Sequence, residues 1–211
     1  MRLGIFGGTF DPVHYGHLLL AESCREQLAL DSVWFMPAAV PPHKQKVALA
    51  PASARIEMLK LAIGGQESFE VCPYEVDRGG VSYTVDTLEH FLAEDPAREL
   101  FFLMGADSLR DLHAWRSPER ICQLAIPVFV TRTLTDPAEK QVDYALLEGL
   151  VEPARLEVIR QHRVDMPRID LSSTDIRRRV GEGRSVRYQT PRAVERYIET
   201  AGLYGSRAEP A

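Results

Sequence analysis

Cysteine is scarce in this sequence, and the few cysteines present form no recognisable pair. Only three occur in 211 residues, at Cys24, Cys72 and Cys122. Their number is odd and no two of them make a C-x-x-C motif, so neither a disulfide framework nor a structural zinc site is indicated. We expect three reduced, partly buried thiols.

Long apolar runs and an excess of positive charge are also absent. No run approaches the roughly 18 apolar residues that indicate a membrane span, and no apolar stretch follows the early Arg2 as it would in a secretory signal. The formal net charge is -5, whereas proteins dedicated to nucleic acids usually carry a basic surface. The sequence therefore predicts a cytoplasmic protein that binds neither membrane nor nucleic acid.

The remaining composition is that of an ordinary globular protein, with 45% hydrophobic and 26% charged residues. A chain of this length can form one core. We predict one domain over residues 1–205, whose C-terminal helical part covers about residues 172–204, and a flexible tail over residues 206–211.

Short apolar runs alternate with segments of helical periodicity, and several of these segments stop at glycine or proline. This β-α-β-α order predicts an α/β fold, a Rossmann-like doubly wound parallel sheet with helices on both faces. Ligands in such sheets bind beyond the carboxyl ends of the strands, so the loops after Phe6 and Met104 are the places for a site. Residues 132–170 indicate only a strand and one or two helices. The predicted strands cover residues 3–6, 33–36, 69–72, 100–104 and 126–130, and the predicted helices begin near residues 15, 56, 84, 118, 172 and 191.

The loop after the first strand contains two glycines and two histidines. Gly7 and Gly8 allow the backbone to approach a ligand closely. His14 and His17 are three residues apart at the start of the predicted helix, so they share nearly the same face. A helix N-terminus favours a phosphate, and Gly16 is expected to leave room for a bulky anion.

Two familiar nucleotide-binding motifs are missing from this loop, since it contains neither G-x-x-x-x-G-K-[ST] nor G-x-G-x-x-G. A glycine turn with two capping histidines and an H-x-x-H metal half-site are the alternatives to a phosphate site. We favour the phosphate site, because packing of a core needs neither histidine and Gly16 destabilises a helix.

A second candidate segment places hydroxyl side chains at the start of a helix. Ser172, Ser173 and Thr174 are followed one turn later by Arg177, an arrangement that suits a polyphosphate. By itself the segment is better explained by a Ser N-cap and a solvated basic face. Combined with the two histidines, it indicates the other half of a phosphate site.

Both segments resemble signatures of the nucleotidyltransferase superfamily. Residues 8–17 are similar to its (H/T)xGH-type signature, and residues 171–177 are similar to its second signature, usually written ISSTxIR, with Leu171 in place of Ile. Between them, residues 41–44, 79–88 and 105–108 follow in order, with Trp115 after them. Taken together these segments resemble the bacterial nicotinate-nucleotide adenylyltransferases over nearly the whole chain.

The resemblance implies that ATP and nicotinate mononucleotide react to give deamido-NAD and pyrophosphate, a step in NAD biosynthesis. The nucleophile would be the 5′-phosphate of the mononucleotide, whose second pKa of about 6 leaves it mostly dianionic near neutrality. No general base is then required, and the task is to position two polyanions and stabilise charge at the α-phosphorus. Mg²⁺ is expected to travel on the triphosphate, with no metal site made by the protein.

The resemblance also implies which residues hold ATP. His17 is expected to act on the α-phosphate in the transition state, and His14 to support the phosphates, so these two form the catalytic pair. Asp107 could instead cap a helix. The predicted ATP-binding residues are Gly8, Thr9, Phe10, His14, His17, Gly105, Asp107, Ser172, Thr174 and Arg177.

A separate set of residues is expected to bind nicotinate mononucleotide. Thr84 begins a predicted helix, so the N–H groups of Thr84 and Val85 should be available to a carboxylate. Trp115 could stack on the pyridine ring, and Lys44 could close over the site from its proline-rich loop. A solvated loop lysine and a core tryptophan are the alternatives for the last two residues.

Three other functions stay open at this point. The acceptor could be a different phosphate such as phosphopantetheine, or the chain could be a cytidylyltransferase. Less favoured are a metal-dependent hydrolase using Asp11, His14 and His17, and a nucleotide-binding regulator without catalysis. The sequence leaves a homo-oligomer open.

Overall fold

A computed structural model describes residues 1–41, 49–105, 108–133 and 142–205. Its framework is a sheet of six strands in the order β3-β2-β1-β4-β5-β6, and every neighbouring pair is parallel. The strands are β1 (Arg2–Gly8), β2 (Ser32–Pro37), β3 (Phe69–Val71), β4 (Glu99–Gly105), β5 (Ile126–Thr133) and β6 (Val164–Pro167).

Helices cover both faces of the sheet, because consecutive strand side chains point to opposite sides. In β1, Leu3 and Ile5 belong to one apolar cluster and Phe6 belongs to the other. The predicted α/β, doubly wound, Rossmann-like fold is confirmed. The α-helices of the described chain are α1 (Tyr15–Gln27), α2 (Ala52–Ile63), α3 (Tyr74–Arg78), α4 (Thr84–Glu94), α5 (Ser108–Asp111), α6 (Pro118–Leu124), α7 (Pro153–Gln161), α8 (Ser173–Gly181) and α9 (Arg192–Thr200).

The strand order reverses its direction of winding between β1 and β4. Chain order runs outward from β1 through β2 to β3, and the chain then returns to the other side of β1 as β4. Two loops leave in opposite directions at such a switch point, so a crevice opens there at the carboxyl ends of the strands. Gly8 and Gly105 are the last residues of the two strands.

The two faces have distinct apolar cores. Met58 of α2 and Val194 of α9 pack with α1 in one cluster, while Leu88 of α4, Ile121 of α6 and Ile159 of α7 pack in the other. The α9 helix therefore rests on the same face of the sheet as α1 and α2. In the described part of the chain, no helix combines the length and apolarity needed to cross a membrane.

Most of the differences from the sequence-based expectations concern short elements. The strand β6 and the helices α3 and α5 were not predicted individually. Ser117 precedes α6 as expected, but it has a φ of 51° and its side chain makes no capping hydrogen bond. The predicted tail, residues 206–211, lies outside the described residues.

Candidate active site

A cavity of about 700 Å³ opens at the switch point. The carboxyl ends of β1 and β4 form its floor, and the start of α4 and the segment before α6 form its wall. A Cβ built on Gly105 would meet no atom of the described residues within 4 Å, so within the described part of the chain the end of β4 faces open space. Of the predicted site residues, Gly8, Thr9, Gly105, Thr84 and Trp115 line this cavity.

The histidine loop, residues 9–17, leaves the end of β1 and enters α1. Phe10 adopts a left-handed conformation with φ of 49°, and its ring is 2% exposed within the core. A Cβ on Gly8 would lie 2.9 Å from that ring. The Phe10 ring therefore packs in the core beneath the loop. Only the backbone of Phe10 is left for the predicted contact with ATP.

The rings of His14 and His17 lie face to face at the start of α1. Their centroids are 3.7 Å apart with an interplanar angle of 24°, and the Phe10 ring meets His17 edge-on at 5.1 Å. The backbone N–H of His14 donates to Nδ1 of His17 at 3.2 Å. A ring nitrogen that accepts a hydrogen bond carries no proton, so the neutral ring of His17 holds its proton on Nε2.

Gly16 serves the histidines in a way that the sequence analysis did not foresee. A Cβ at this position would lie 3.0 Å from both Cε1 and Nδ1 of His14. The side of Gly16 on which a Cβ would lie is thus filled by the His14 imidazole, and the expected room for an anion at Gly16 stays a prediction. The glycine is needed because the two rings stack.

The start of α8 lies against the histidine loop. Ser173 Oγ donates to the carbonyl oxygen of Pro12 at 2.9 Å, and Arg177 Nη1 donates to the carbonyl oxygen of Asp11 at 2.7 Å. The two segments singled out in the sequence are therefore in contact, although they are far apart in the chain. Their helix starts and the Arg177 guanidinium concentrate positive potential on one side of the loop.

The remaining polar side chains of this segment have local partners. Ser172 is the N-cap of α8, and its Oγ accepts from the Asp175 N–H at 3.1 Å. Thr174 Oγ1 accepts from Arg177 Nη2 at 3.3 Å. The capping role considered for Ser172 is therefore present, and its predicted role towards ATP stays a prediction.

The start of α4 faces the cavity. Its N-cap, Tyr83, provides no side-chain hydrogen bond to the first turn. Thr84 lines the cavity, whereas the Val85 side chain is 5% exposed in the core, so Val85 can offer only its backbone. The Trp115 ring stands edge-on to Phe102 at 5.9 Å and also borders the cavity.

A buried carboxyl group in the cavity wall escaped the sequence analysis. Glu75 is 7% exposed and its Oε1 accepts from Thr87 Oγ1 at 2.7 Å. Burial raises the pKa of the Glu75 carboxyl, and hydrogen bonds from Thr87 and Ser82 oppose that shift. Ser82 Oγ also accepts from the Ala39 N–H at 2.9 Å, so Glu75 links the loop after β2 to α4. Glu75 lies in α3, which was not predicted individually, so no local signal in the sequence marked this residue.

Two predicted site residues, Lys44 and Asp107, lie outside the described residues, as does His43. Within residues 1–41, 49–105, 108–133 and 142–205, no group of three or more His, Cys, Asp or Glu side chains is placed to hold a metal ion.

Comparison with known proteins identifies the family. Residues 5–179 match the family model described as cytidylyltransferase-like. Proteins named "Probable nicotinate-nucleotide adenylyltransferase" are 46% identical in Thermomicrobium roseum, over 96% of this chain and 91% of the relative, and 48% identical in Thermus thermophilus, over 97% and 100%. The chain belongs to the nicotinate-nucleotide adenylyltransferase family. It is accordingly a nucleotidyltransferase, and the superfamily and enzyme class predicted from its signatures are confirmed.

Solved structures show the same fold at much lower sequence identity. Plasmodium falciparum nicotinic acid mononucleotide adenylyltransferase complexed with APC superimposes with a TM-score of 0.72 at 16% identity, over 96% of both chains. The same protein complexed with NaAD gives a TM-score of 0.73, also at 16% identity, over 96% of this chain and 97% of that one. Nucleotidyltransferases that use ATP generally require a divalent metal ion.

Proposed function

We propose that this protein transfers the adenylyl group of ATP to nicotinate mononucleotide, producing deamido-NAD and pyrophosphate in NAD biosynthesis. The observation that carries the proposal is that the histidine loop and the cavity lie side by side at the switch point. On one side is a histidine loop that suits phosphates, and on the other is a cavity with an uncapped helix start and a tryptophan.

ATP binds along the histidine loop in this proposal. The triphosphate contacts the starts of α1 and α8, where backbone N–H groups and Arg177 favour negative charge. The Nε2–H of His17 donates to the α-phosphate, and its contribution grows as charge develops in the transition state. The His14 ring, stacked on His17 at 3.7 Å between centroids, keeps that imidazole in place.

The acceptor lies in the cavity with its phosphate directed at the histidine loop. Its carboxylate takes the N–H groups at the start of α4, and its ring contacts Trp115. The 5′-phosphate attacks the α-phosphorus in line and pyrophosphate leaves. The attacking group is already ionised near neutrality, so the protein supplies position and charge stabilisation instead of a base.

The divalent ion of this reaction is Mg²⁺ carried by the triphosphate. The groups around the loop are N–H, hydroxyl, imidazole and guanidinium groups, which suit phosphate oxygens. The carboxylate within the loop, Asp11, is 1% exposed and accepts from Tyr204 Oη at 2.6 Å. Mg²⁺ prefers phosphate oxygens and water to such a group. Its role is to neutralise charge on the phosphates.

Pyrophosphate release from Mg-ATP tests the proposal, with nicotinate mononucleotide and nicotinamide mononucleotide offered separately. We expect rapid release with the first acceptor and little with the second, because an amide brings no charge to the helix start. Equal kcat/KM for the two would overturn the proposed selectivity. Release only with phosphopantetheine, or only with CTP in place of ATP, would replace the acceptor or the nucleotide.

A matched pair of variants tests the helix start itself. Thr84→Pro removes one backbone N–H but suits the first position of a helix, and Thr84→Ala keeps that N–H. We expect Thr84→Pro to raise KM for nicotinate mononucleotide roughly tenfold, since a hydrogen bond to a charged group is lost. Thr84→Ala should change KM much less. Equal effects of the two variants would place the carboxylate elsewhere.

A further inference from the structure

A buried carboxylate lies beneath the histidine loop. Asp11 is 1% exposed, and a buried charge is stable only when partners compensate it. Its Oδ1 accepts from Tyr204 Oη at 2.6 Å and from the Ala50 N–H at 3.4 Å. Arg177 Nη1 lies 3.9 Å from Oδ2. Asp11 thus joins the histidine loop to three distant parts of the chain.

A buried arginine supports the same loop from another side. Arg55 is 2% exposed, and its guanidinium donates to the Thr9 carbonyl oxygen at 2.9 Å and to the Ala50 carbonyl oxygen at 3.2 Å. Burial lowers the pKa of Arg55, and the negative charge of Asp11 opposes that shift. The Asp11 carboxylate therefore lies in the field of a fixed positive charge.

The histidine loop needs such support because its backbone is strained. The φ of 49° at Phe10 is in the left-handed region, which is disfavoured for a residue with a Cβ. The strained residue sits between Thr9 and Asp11, which are both held by these contacts. Losing one contact would let the loop relax away from the conformation that stacks His14 on His17.

Among the residues that contact Asp11, Tyr204 comes from the end of the described chain. It follows α9 and packs partly buried on the cluster that contains Phe10. Burial and the Asp11 carboxylate raise the pKa of the Tyr204 hydroxyl, so it remains a hydrogen-bond donor at neutral pH. The contact spans 193 residues of sequence.

We propose that Tyr204 is a positioning residue for adenylyl transfer, acting through its hydrogen bond to Asp11 to hold the histidine loop in its strained conformation. The inference rests on the proposed function for its effect on rate, but not for its effect on the loop. Tyr204 itself touches no substrate in this proposal.

Kinetics of Tyr204→Phe test the effect on rate, with Tyr197→Phe as the control. Both variants remove one hydroxyl and keep the ring, and Tyr197 packs on the same cluster from α9. We expect Tyr204→Phe to lower kcat roughly tenfold or more, because a hydrogen bond to a buried charge is lost. The KM for nicotinate mononucleotide should stay within about twofold, since the start of α4 and Trp115, which contact it in the proposal, lie outside the histidine loop. An unchanged kcat, or an equal loss in Tyr197→Phe, would overturn the proposal.

A double-mutant cycle with Asp11→Asn shows whether Tyr204 acts through Asp11. The asparagine keeps an oxygen that can accept a hydrogen bond but removes the charge. We expect the double variant to lose much less in kcat than the product of the two single losses. Multiplicative losses would mean that Tyr204 acts by another route and would refute the proposal.

Hydrogen exchange of backbone amides gives a readout that needs no activity. Tyr204→Phe and Asp11→Asn should each speed exchange over residues 9–17 and leave α4 unchanged, whereas Tyr197→Phe should not affect the loop. Faster exchange in both regions would indicate general destabilisation and count against a positioning role. If the wild type releases no pyrophosphate with any acceptor, the proposed function fails, and loop exchange still decides the role of Tyr204.

Discussion

At the scale of single residues, the hydrogen bond from the His14 N–H to His17 Nδ1 determines what His17 offers to a substrate. It fixes the neutral tautomer whose proton is on Nε2. His17 therefore acts as a hydrogen-bond donor of fixed orientation. A donor that is oriented before the reaction stabilises a transition state without rearrangement.

We expect His17→Ala to lower kcat by roughly 10²–10³-fold, the usual result of losing one such donor. The dissociation constant of ATP should change little, because the contribution arises mainly in the transition state. Steady-state kinetics and a direct ATP titration measure the two quantities. His162→Ala is a suitable control, since that ring contacts Phe101 and the Val158 carbonyl oxygen. Unchanged turnover in His17→Ala would remove His17 from the mechanism.

Glu75 should make stability depend on pH. Burial raises the pKa of its carboxyl above the usual 4.5, so the folded protein binds this proton more tightly than the unfolded chain does. The resulting stabilisation is fully present below pH 4.5 and is lost as pH rises through the raised pKa. Glu75→Gln keeps an acceptor for Thr87 and carries no charge.

Urea unfolding of both proteins at about pH 4 and about pH 8 checks this effect. On going to the higher pH, the wild type should lose free energy of unfolding relative to Glu75→Gln. A constant difference between the two proteins would show that ionisation of Glu75 does not destabilise the fold.

At the scale of elements, the histidine loop is held by the start of α8 and by the segment that leads into α9. Ser173 at the start of α8 donates to the Pro12 carbonyl oxygen, and Thr190 before α9 donates to the Val13 carbonyl oxygen at 2.8 Å. The Tyr15 N–H donates to the Gln189 carbonyl oxygen at 3.1 Å. The α8 helix and the segment before α9 therefore take part in building the site.

We expect Thr190→Val to lower the free energy of unfolding by about 1–3 kcal/mol, because it leaves the buried Val13 carbonyl oxygen without its donor. Thr190 is 1% exposed. Thr200→Val removes a hydroxyl that donates to the Arg196 carbonyl oxygen at 2.9 Å at the surface, and it should cost less than about 0.5 kcal/mol. Chemical denaturation of both variants measures the difference. Equal costs would mean that the contact at Val13 contributes little.

The predicted elements that agree with the structure are those with local signals. The strands β1, β2, β4 and β5 are apolar runs, and the longer helices have periodic apolar residues and glycine or proline at their ends. The three-residue β3 was still predicted from its apolar residues, whereas β6 lies in a mainly polar stretch and the five-residue α3 shows no clear apolar period. The contacts of Asp11 with Tyr204 could not be predicted, because nothing in either local segment encodes a partner 193 residues away.

At the scale of the whole molecule, the topology explains why a cavity opens beside the two loops in which the sequence predicted a site. The strand order reverses between β1 and β4, and the cavity lies at their carboxyl ends. This could be inferred from the alternation of elements alone. The role of Gly16 could not, because it depends on where the His14 ring points.

Burial in the two apolar clusters should also protect Cys24 and Cys122 from alkylation. Burial raises the pKa of Cys24 to about 12 and that of Cys122 to about 11. Thiolate, which is the reactive form, is therefore rare at pH 8. We expect iodoacetamide to leave both residues unmodified in the folded protein and to alkylate them in urea, as measured by peptide mass spectrometry. Equal rates in the two conditions would contradict the burial of these thiols.

The long-range anchoring of the histidine loop has a consequence for how the enzyme is made. Ribosomes synthesise residues 9–17 early, but Arg177, Thr190 and Tyr204, which hold that loop, are synthesised late. A nascent chain that has already formed β1 and α1 therefore lacks the contacts that set the two histidines. Nucleotide binding should begin only after the end of the fold has left the ribosome, so incomplete chains would not capture ATP.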